Sequence, residues 1–454
     1  MEAPAVRECR GTLIRTGSAW KVAGAASSGA LFAAALPPYD VPLVGFIAFA
    51  PLLAAISRAR ANTILYLAML TALTAAVLLL GVPREASYTL VLVPFLVFGM
   101  FLAAVLATAR WLGMERGASA VWGVAAMGVL VEWLAAQVDF PYTVAFTVWR
   151  DTPLLWLAAF TGVWGLAFVL WLVNAAVAQA FVLRRATPLL LTVLGVLALL
   201  HVLGWLQMAV AREGETVRVA VIQSDDSRMA TLLREAKQRG AQIAVLPETC
   251  CAEQEAIRWA QTYQLYLAFG YWGEGNSAAL ASPDGRLSLP YFKMHAYGGE
   301  PRSWQRGDPV RAFDSPFGRI GAVICYDTMF SDSCRLQARN GVRLIAVPTY
   351  DPVTPRLVLH HIHAATTTLR AAEHRVPLAR AEFRAGSMIV DSWGRVLAQA
   401  DESTSLAIAD VPLGNGRATP ATQLGDAFVL LCALLIGSSS LARHGAGRGR
   451  SFRE

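Results

Sequence analysis

Long apolar runs are the feature that most constrains the fold of this chain. Eight stretches of about 15 to 30 residues contain almost no charged side chain, and a helix needs roughly 20 apolar residues to cross a bilayer. The runs are Val22–Leu36, Val41–Ile56, Thr63–Leu80, Tyr88–Thr108, Ala118–Ala136, Leu154–Val182, Pro188–Met208 and Ala427–Ala442. They predict a multi-pass membrane protein with eight spans, with the alternative that a short run is a signal-peptide core or a buried helix.

Composition and charge agree with a membrane location. Only 16% of the residues are charged, against about 25% in soluble domains. The net charge of +7 does not indicate a nucleic-acid partner, because the basic residues flank apolar runs and form no stripe with interleaved aromatic residues. Six cysteines in 454 residues are too few for a disulfide framework.

The basic residues alternate between the two sides of the apolar runs. One side has Arg7, Arg10, Arg15, Lys21, Arg58, Arg60, Arg110, Arg116, Arg184, Arg185, Arg443, Arg448, Arg450 and Arg453, whereas the opposite short loops have Arg84 and Arg150. Lys and Arg collect in cytoplasmic loops. Provided that all eight runs span, both termini lie in the cytoplasm and the segment between the seventh and eighth runs lies outside it.

Between about residues 216 and 417, short β-rich stretches alternate with polar helical ones. The patterns predict strands at VRVAVIQ, QIAVLPE, GRIGAVICYD and VRLIAVPTYD, and a helix that ends at Gly240 between the first two strands. Strands that alternate with helices, together with hairpins, indicate a mixed α/β sandwich. We therefore predict a membrane domain with seven spans over 1–211, an α/β domain over 216–417, and a last span with a basic tail over 424–454.

Three reactive side chains stand at predicted strand ends or in loops. Glu248 follows AVLP, Lys293 lies in YFKMH, and Cys325 ends GAVI. A carboxylate there can act as a general base, which a cysteine needs because only a few per cent of a free thiol is ionised at neutral pH. A lysine can stabilise the oxyanion of a tetrahedral intermediate. The three residues form a candidate acyl-transfer site, although taken by themselves they favour the alternative that Cys325 is an inert residue of a buried strand.

The order of these motifs resembles the carbon–nitrogen hydrolase (nitrilase) superfamily, and their combination with eight spans resembles its membrane-anchored branch, the apolipoprotein N-acyltransferases. RVAVIQ, VLPET, YFKMHAYGGEP and ICYD are similar to the catalytic domain of that family, and ALPPYDVPLVGFIAFAPLLAAI and VEWLAAQVDFPYTVAF are similar to its membrane segments. The resemblance extends from about Gly29 to Leu435. It implies an inserted α-β-β-α sandwich between the seventh and eighth spans.

The resemblance also implies roles for individual residues. Glu248 is expected to be the general base, Lys293 the oxyanion stabiliser and Cys325 the nucleophile. Three more residues match supporting or substrate-binding positions, namely Glu300, Tyr326 and Asp327. The implied acyl donor is a phospholipid and the implied acceptor an apolipoprotein, with no cofactor and no metal. The implied location is a bacterial inner membrane, with the catalytic domain on the periplasmic side.

Two other functions are compatible with the same residues. The first is a membrane-tethered amidase or nitrilase that uses the same three residues with water as the acceptor. The second is a catalytically weak paralogue that binds lipoproteins.

Several other residues allow a functional or a structural interpretation. We expect the cysteines at Cys250, Cys251 and Cys334 to be free or buried thiols, with a disulfide to Cys334 as the alternative. The histidines at His360, His361 and His363 predict a polar helix face rather than a metal site. Glu132, inside an apolar run, predicts either a functional carboxylate or a structural hydrogen bond.

Overall fold

The computed structural model of the protein describes residues 5–56, 59–80, 86–114, 117–211, 214–224, 228–298, 300–301, 305–307, 311–351, 358–400 and 405–448. The chain divides into two compact units. The first comprises Met1–Val148, Ala167–Leu199 and Ala427–Glu454, and the second comprises Trp149–Leu166 and Leu200–Asp426. Five of the basic residues used to predict the orientation lie outside the described residues, namely Arg58, Arg84, Arg116, Arg450 and Arg453.

Ten α-helices are described ahead of the first strand. They are α1 (Ala5–Ala35), α2 (Pro42–Gly45), α3 (Ala50–Ala55), α4 (Ala61–Leu80), α5 (Ala86–Leu112), α6 (Ala118–Gln137), α7 (Thr152–Leu155), α8 (Ala158–Thr161), α9 (Val163–Leu183) and α10 (Pro188–Val210). A 3₁₀ turn over Val144–Val148 follows α6.

Five helices in the described part of the chain are long and apolar enough to cross a bilayer, and they lie in α4, α5, α6, α9 and α10. The predicted count of eight spans is therefore not confirmed. The Val41–Ile56 run forms α2 and α3 rather than one helix, because Pro42 and Pro51 each stand at the start of a new helix. The Leu154–Val182 run is interrupted at Gly162, which ends α8 with a φ of 69°. The orientation that depends on eight spans stays a prediction.

Glu132 of α6 is buried within the first unit and is hydrogen-bonded there. Its Oε1 accepts a bond from the indole Nε1–H of Trp171 at 2.7 Å, and its Oε2 accepts one from the backbone N–H of Val144 at 3.3 Å. A buried carboxylate needs such donors. These bonds join α6 to α9 and to the 3₁₀ turn, and they supply the structural role that was one of the two alternatives for this residue.

The second unit contains the strands of the protein in the described ranges. Its elements are β1 (Thr216–Ile222), α11 (Met229–Gln238), β2 (Ile243–Val245), α12 (Glu253–Tyr263), β3 (Tyr266–Trp272), β4 (Asn276–Ala281), β5 (Tyr291–Phe292), β6 (Phe313–Ser315), β7 (Gly318–Ala322), α13 (Ser331–Arg339), β8 (Leu344–Thr349), α14 (Val358–His374), β9 (Leu378–Glu382), β10 (Met388–Val390), β11 (Val396–Gln399), β12 (Leu406–Pro412) and α15 (Pro420–Leu424). The last helix of the chain, α16 (Ala427–Arg448), belongs to the first unit.

The strands form two six-stranded sheets, one in the order β12-β1-β2-β3-β4-β5 and the other in the order β11-β10-β9-β8-β7-β6. Within each sheet the central strands run parallel, as β1-β2-β3 and β7-β8-β9. The four strands predicted from the sequence are confirmed as β1, β2, β7 and β8. The helix predicted between the first two is α11, and it is followed by Gly240 with a φ of 84°.

The two sheets pack face to face, and helices cover their outer faces. Apolar residues of both sheets meet in the interior, for example Val219 and Val245 of the first sheet with Leu344 and Ala379 of the second. A second cluster joins α11 and α12 to the outer face of the first sheet, and a third joins α13 and α14 to that of the second. The layers therefore follow the predicted α-β-β-α order. Polar residues that follow β2, β7 and β8 stand at the carboxyl ends of parallel strands, where sites in α/β folds are commonly built.

Candidate active site

Glu248 lies just beyond β2, in a turn that the neighbouring strand holds in place. The next residue, Thr249, has a φ of 58°, which is uncommon for a residue other than glycine. The β3 backbone passes so close that a Cβ added at Gly270 would lie 2.8 Å from the Cα of Glu248. The position of the carboxylate is therefore set by main-chain packing as well as by its own hydrogen bonds.

The carboxylates of Glu248 and Glu300 share one ammonium group. Lys293, which is only 3% exposed, places its Nζ 3.2 Å from Oε1 of Glu248 and 2.7 Å from Oε1 of Glu300. The side-chain amide of Asn276 donates to the same two oxygens. The second oxygen of Glu248 accepts the backbone N–H of Tyr350 at 2.9 Å. Two of the three residues predicted to be catalytic are thus in direct contact, together with the predicted support Glu300.

Cys325 begins a 3₁₀ turn that directly follows the β7 segment. Its side chain is buried, and its φ of 45° places a non-glycine residue in the left-handed region. The thiol lies 3.6 Å from the carbonyl oxygen of Tyr350 and 3.8 Å from Oδ1 of Asp351. A sharp turn at the end of a strand presents the sulfur at the same edge where Glu248 stands in the other sheet.

The charges at this edge act on one another. Burial raises the pKa of the Cys325 thiol well above its usual value, and the charge of Glu248 raises it further, whereas that of Lys293 lowers it. Burial acts to lower the pKa of the Lys293 ammonium, but interactions with the thiolate form of Cys325 and with the carboxylates of Glu248 and Glu300 outweigh it, so the pKa is raised above its usual value. The thiol is therefore neutral at rest and the lysine is cationic, which is the charge state needed to receive a developing oxyanion.

Asp327 joins the segment after Lys293 to the turn that contains Cys325. Its Oδ1 accepts the backbone N–H groups of Met294 at 3.1 Å and His295 at 2.8 Å. Its Oδ2 accepts the hydroxyl of Tyr291 at 2.7 Å and the N–H of Ile324 at 3.1 Å. Burial raises the pKa of this carboxyl group above its usual value despite these donors. Asp327 is fully buried, and its bonds support the site rather than contact a substrate.

Tyr326 belongs to an aromatic group beside Cys325. Its ring packs edge-on against Tyr297, with centroids 5.1 Å apart, and against Phe330 at 5.3 Å. Tyr297 is 46% exposed, whereas Tyr326 and Phe330 are half-buried, so this group presents an accessible aromatic surface. Such a surface is suited to contact an apolar substrate chain.

A second set of charged residues lies behind Cys325, and the sequence analysis did not identify it. Oδ1 of Asp351 is 2.7 Å from Nδ1 of His363, and its Oδ2 is 2.8 Å from the guanidinium of Arg380. Nε2 of His363 lies 3.0 Å from the carbonyl oxygen of Cys325. The position of Asp351 directly after β8, parallel to β7, was the one signal in the sequence that could have placed it beside Cys325.

The prediction of a polar face for the α14 histidines is wrong. His360 and His363 are buried, because α14 packs between the second sheet and other helices of the unit, which a 3.6-residue period alone cannot show. Two sets of side chains have metal-ligand types within 4.8 Å of one another, namely Cys325, Asp351 and His363, and Asp351, His360 and Glu382. The Arg380 cation already binds Asp351, and backbone N–H groups occupy both oxygens of Glu382. These bonds favour a hydrogen-bonded network over a metal ion at Asp351 and His363. Nδ1 of His360 lies 3.5 Å from Oε2 of Glu382, and neither of its ring nitrogens forms a hydrogen bond within the described ranges. The absence of a metal stays a prediction.

The remaining cysteines of this unit are free thiols, as predicted. The sulfur atoms of Cys250 and Cys251 lie 3.3 Å apart in the turn after Glu248. Cys334 is buried in a different core cluster, under the second sheet. The alternative of a disulfide to Cys334 is therefore not supported.

Comparisons with known proteins match two separate regions of the chain. Residues 222–421 match the carbon–nitrogen hydrolase family, and residues 28–176 match the N-terminal domain of apolipoprotein N-acyltransferases. An apolipoprotein N-acyltransferase of Geobacter metallireducens is 27% identical over 89% of this chain and 92% of its own length. An omega-amidase of Bos taurus is 26% identical over 43% of this chain and 86% of its own. A solved amidase from Nesterenkonia sp. is 21% identical, with a TM-score of 0.38, and the match covers 45% of this chain and 93% of that one.

Proposed function

Because the chain belongs to the apolipoprotein N-acyltransferase branch of the carbon–nitrogen hydrolase superfamily, we propose that it transfers a fatty acyl chain from a phospholipid to the N-terminal amine of diacylglyceryl-cysteine apolipoproteins. The observation that carries this proposal is the order of the two matched regions in one chain. The omega-amidase resembles less than half of the chain, whereas the N-acyltransferase resembles nearly all of it.

The first half-reaction forms a thioester on Cys325. Glu248 removes the thiol proton as the sulfur attacks the ester carbonyl carbon of the phospholipid. Lys293 stabilises the negative charge that develops on the carbonyl oxygen. The ester C–O bond then breaks, Glu248 returns the proton to the departing oxygen, and a lysophospholipid leaves.

The second half-reaction moves the acyl group to nitrogen. The free amine of the lipoprotein attacks the thioester carbon, and Glu248 accepts a proton from that nitrogen. The C–S bond breaks as the amide forms, and the thiol of Cys325 regains a proton. Glu300 contributes by sharing Lys293 with Glu248, which fixes the ammonium group between them.

The apolar helices would hold the enzyme in the bilayer, where its proposed substrates lie. Both proposed substrates carry acyl chains and reside in a bilayer, and an enzyme that acts on them must be held there. A thioester exposed to water hydrolyses, so transfer requires that water be kept from it. We place the α/β unit on the periplasmic side of the inner membrane, which follows from the predicted alternation of basic loops.

A trapped acyl-enzyme tests the first half-reaction. The purified protein, incubated in micelles with a bacterial phospholipid extract, is expected to gain a fatty-acyl adduct on the peptide that contains Cys325. The adduct should be released by neutral hydroxylamine, as thioesters are, and should be absent from Cys325→Ala. Cys432→Ala, which removes a thiol from α16 instead, is the matched control and should keep the adduct.

A lipopeptide with a free diacylglyceryl-cysteine amine tests the second half-reaction. Formation of an N-acyl amide supports transfer, and release of free fatty acid supports the membrane-tethered hydrolase. Failure to acylate the lipopeptide, together with failure to complement a strain that lacks apolipoprotein N-acylation, would point to a catalytically weak paralogue.

A further inference from the structure

The backbone of Cys325 is anchored from the side opposite to Glu248 and Lys293. Its φ of 45° lies in a region that non-glycine residues rarely adopt, and such a conformation persists only where surrounding contacts hold it. The carbonyl oxygen of Cys325 accepts a hydrogen bond from Oγ1 of Thr328 at 3.0 Å, and Nε2 of His363 lies 3.0 Å from both that carbonyl oxygen and Oγ1 of Thr328. Both side chains are buried. These bonds are the contacts that hold the strained residue in place.

The other ring nitrogen of His363 reaches the strand end that orients the base. Its Nδ1 lies 2.7 Å from Oδ1 of Asp351, and Arg380 binds the second oxygen of that carboxylate at 2.8 Å. Tyr350, the residue before Asp351, donates its N–H to Glu248, and its carbonyl oxygen faces the thiol of Cys325. One imidazole therefore connects the main chain of the nucleophile to the segment that binds both the sulfur and the general base.

We propose that His363 is a positioning residue for acyl transfer, which holds the Cys325 carbonyl with one ring nitrogen and the Tyr350–Asp351 segment with the other. It does not touch the reacting atoms. It holds the sulfur and Glu248 in a fixed relative position. The contact at Nε2 fixes the main chain of Cys325, and the contact at Nδ1 fixes the segment that binds Glu248. This inference deepens the proposed function and rests on it.

Asp351 itself is unsuited to be a second base, although it lies 3.8 Å from the sulfur. Burial acts to raise the pKa of its carboxyl group, but the charges of His363 and Arg380 outweigh it and hold the pKa well below its usual value. Both carboxylate oxygens are also in contact with these two groups. The role left to Asp351 is to orient the imidazole, as carboxylates do where a histidine must be held in one orientation.

Two amide substitutions separate the two bonds of His363. In His363→Gln the side-chain N–H group reaches about as far as Nε2, so the bond to the Cys325 carbonyl can be kept. In His363→Asn it reaches about as far as Nδ1, so only the bond to Asp351 can be kept. We expect the single-turnover acylation rate of Cys325 to fall about tenfold or more in His363→Asn, the size of one lost hydrogen bond to a fixed group. His363→Gln should retain more of the rate, and the phospholipid KM should not change in either variant.

The melting temperature in detergent and a second variant distinguish the loss of this contact from a general loss of stability. Thr328→Val removes the other donor to the same carbonyl, and its effect on the rate should be non-additive with that of His363→Asn, since both act on one group. His361→Gln, on the same helix, is the matched control and should acylate like the wild type. The proposal is overturned if the Asn and Gln variants lose rate equally, if KM changes instead of the rate, or if the loss follows the melting temperature.

A substrate-independent measurement separates this proposal from the proposed function. Alkylation of Cys325 by iodoacetamide needs no lipid, and four charged groups face the thiol, namely Glu248, Lys293, Asp351 and Arg380. If the Cys325 carbonyl is released, the sulfur moves relative to these charges, so the alkylation rate should depart further from the wild-type rate in His363→Asn than in His363→Gln. Equal alkylation rates in the two variants and the wild type would overturn the positioning role even if lipid acylation were never observed.

Discussion

Burial of a thiol disfavours its ionised form, and Cys325 is 4% exposed. The charge of Glu248 disfavours the thiolate further, whereas the charge of Lys293 favours it. In the proposed mechanism the sulfur therefore becomes nucleophilic when Glu248 accepts its proton during attack, and no thiolate is kept at rest. This makes the ionisation of Cys325 sensitive to each charged neighbour separately.

Substitution of the two neighbours should shift the ionisation of Cys325 in opposite directions. Lys293→Met removes a positive charge that lowers the pKa of the thiol, so the alkylation profile should move to higher pH. Glu248→Gln removes a negative charge that raises it, so the profile should move to lower pH. A shift of one pKa unit changes the alkylation rate below the pKa by about tenfold. The measurement is the rate of iodoacetamide modification of Cys325 between about pH 6 and pH 10, followed by mass spectrometry.

Acyl transfer should be lost in both of these variants, although their thiol reactivities differ. A base is needed in each half-reaction, and so is a cation near the oxyanion. The proposal that Glu248, Lys293 and Cys325 form one site is contradicted if the pH profiles of Cys325 alkylation shift in the same direction in both variants, or if Glu248→Gln retains transfer activity.

At the scale of elements, the close approach of β3 to the turn after β2 determines where Glu248 stands. A Cβ at Gly270 would meet the Cα of Glu248 at 2.8 Å and the backbone nitrogen of Thr249 at 3.1 Å. Backbone atoms cannot move aside as the end of a flexible side chain can. The turn and the strand must therefore separate if any side chain is introduced at this glycine.

Gly270→Ala should displace Glu248 and lower both stability and activity. Overpacking of this kind costs about 1–3 kcal/mol, and we expect a lower melting temperature and a larger loss of Cys325 acylation than the stability change alone explains. Gly214→Ala is the control, because its Cβ would make only an ordinary contact of 3.5 Å. Wild-type acylation by Gly270→Ala would show that the turn has room to adjust.

Asp327 connects two elements of the site, and its removal should loosen both. Asp327→Asn presents an NH₂ group to a cavity that holds only donors, from Tyr291, Met294, His295 and Ile324. Each buried group left without a partner costs about 1–3 kcal/mol. The melting temperature in detergent should fall by several degrees, whereas Asp314→Asn, which breaks an exposed ion pair with Arg319, should have little effect. Equal stability of the two variants would contradict the supporting role of Asp327.

Much of the second unit was predictable from the sequence, because its signals are local. An apolar run that stops at Pro247 defines β2, and an amphipathic stretch that ends before Gly240 defines α11. The strands β7 and β8 lie in mostly apolar stretches. The placement of Asn276 and His363 beside the other residues of the site could not be predicted in the same way. Each depends on which strand or helix lies opposite in the folded unit, and pairings such as β1 with β12 join residues nearly 200 positions apart in the chain.

The apolar part of the chain shows the limit of composition as a guide to structure. Hydropathy finds every run, but it does not show that prolines divide the Val41–Ile56 run. It also does not show that the Leu154–Val182 run is interrupted at Gly162, where the N–H of Val163 donates to Glu373. A span count read from apolar length therefore overestimates the number of continuous helices. The predicted orientation needs an argument that does not use the full count.

At the scale of the whole molecule, the last two helices before β1 provide such an argument. Arg184 and Arg185 lie between α9 and α10, both of which are long enough to span, and paired arginines between spans favour the cytoplasm. The 23-residue α10 would then carry the chain across the bilayer to β1. The α/β unit is therefore expected on the periplasmic side, whether or not α1, α2 and α3 cross the bilayer.

Fusions to alkaline phosphatase test this orientation, because that enzyme needs disulfides and is active only outside the cytoplasm. A fusion after Gly214 should be active, and a fusion after Arg185 should be inactive at equal expression. Replacing both arginines with glutamine should weaken the preference, since the positive charges are its physical cause. Activity after Arg185 with none after Gly214 would place the thiol of Cys325 in the cytoplasm. Acyl transfer to lipoproteins on the periplasmic face would then be impossible for this chain.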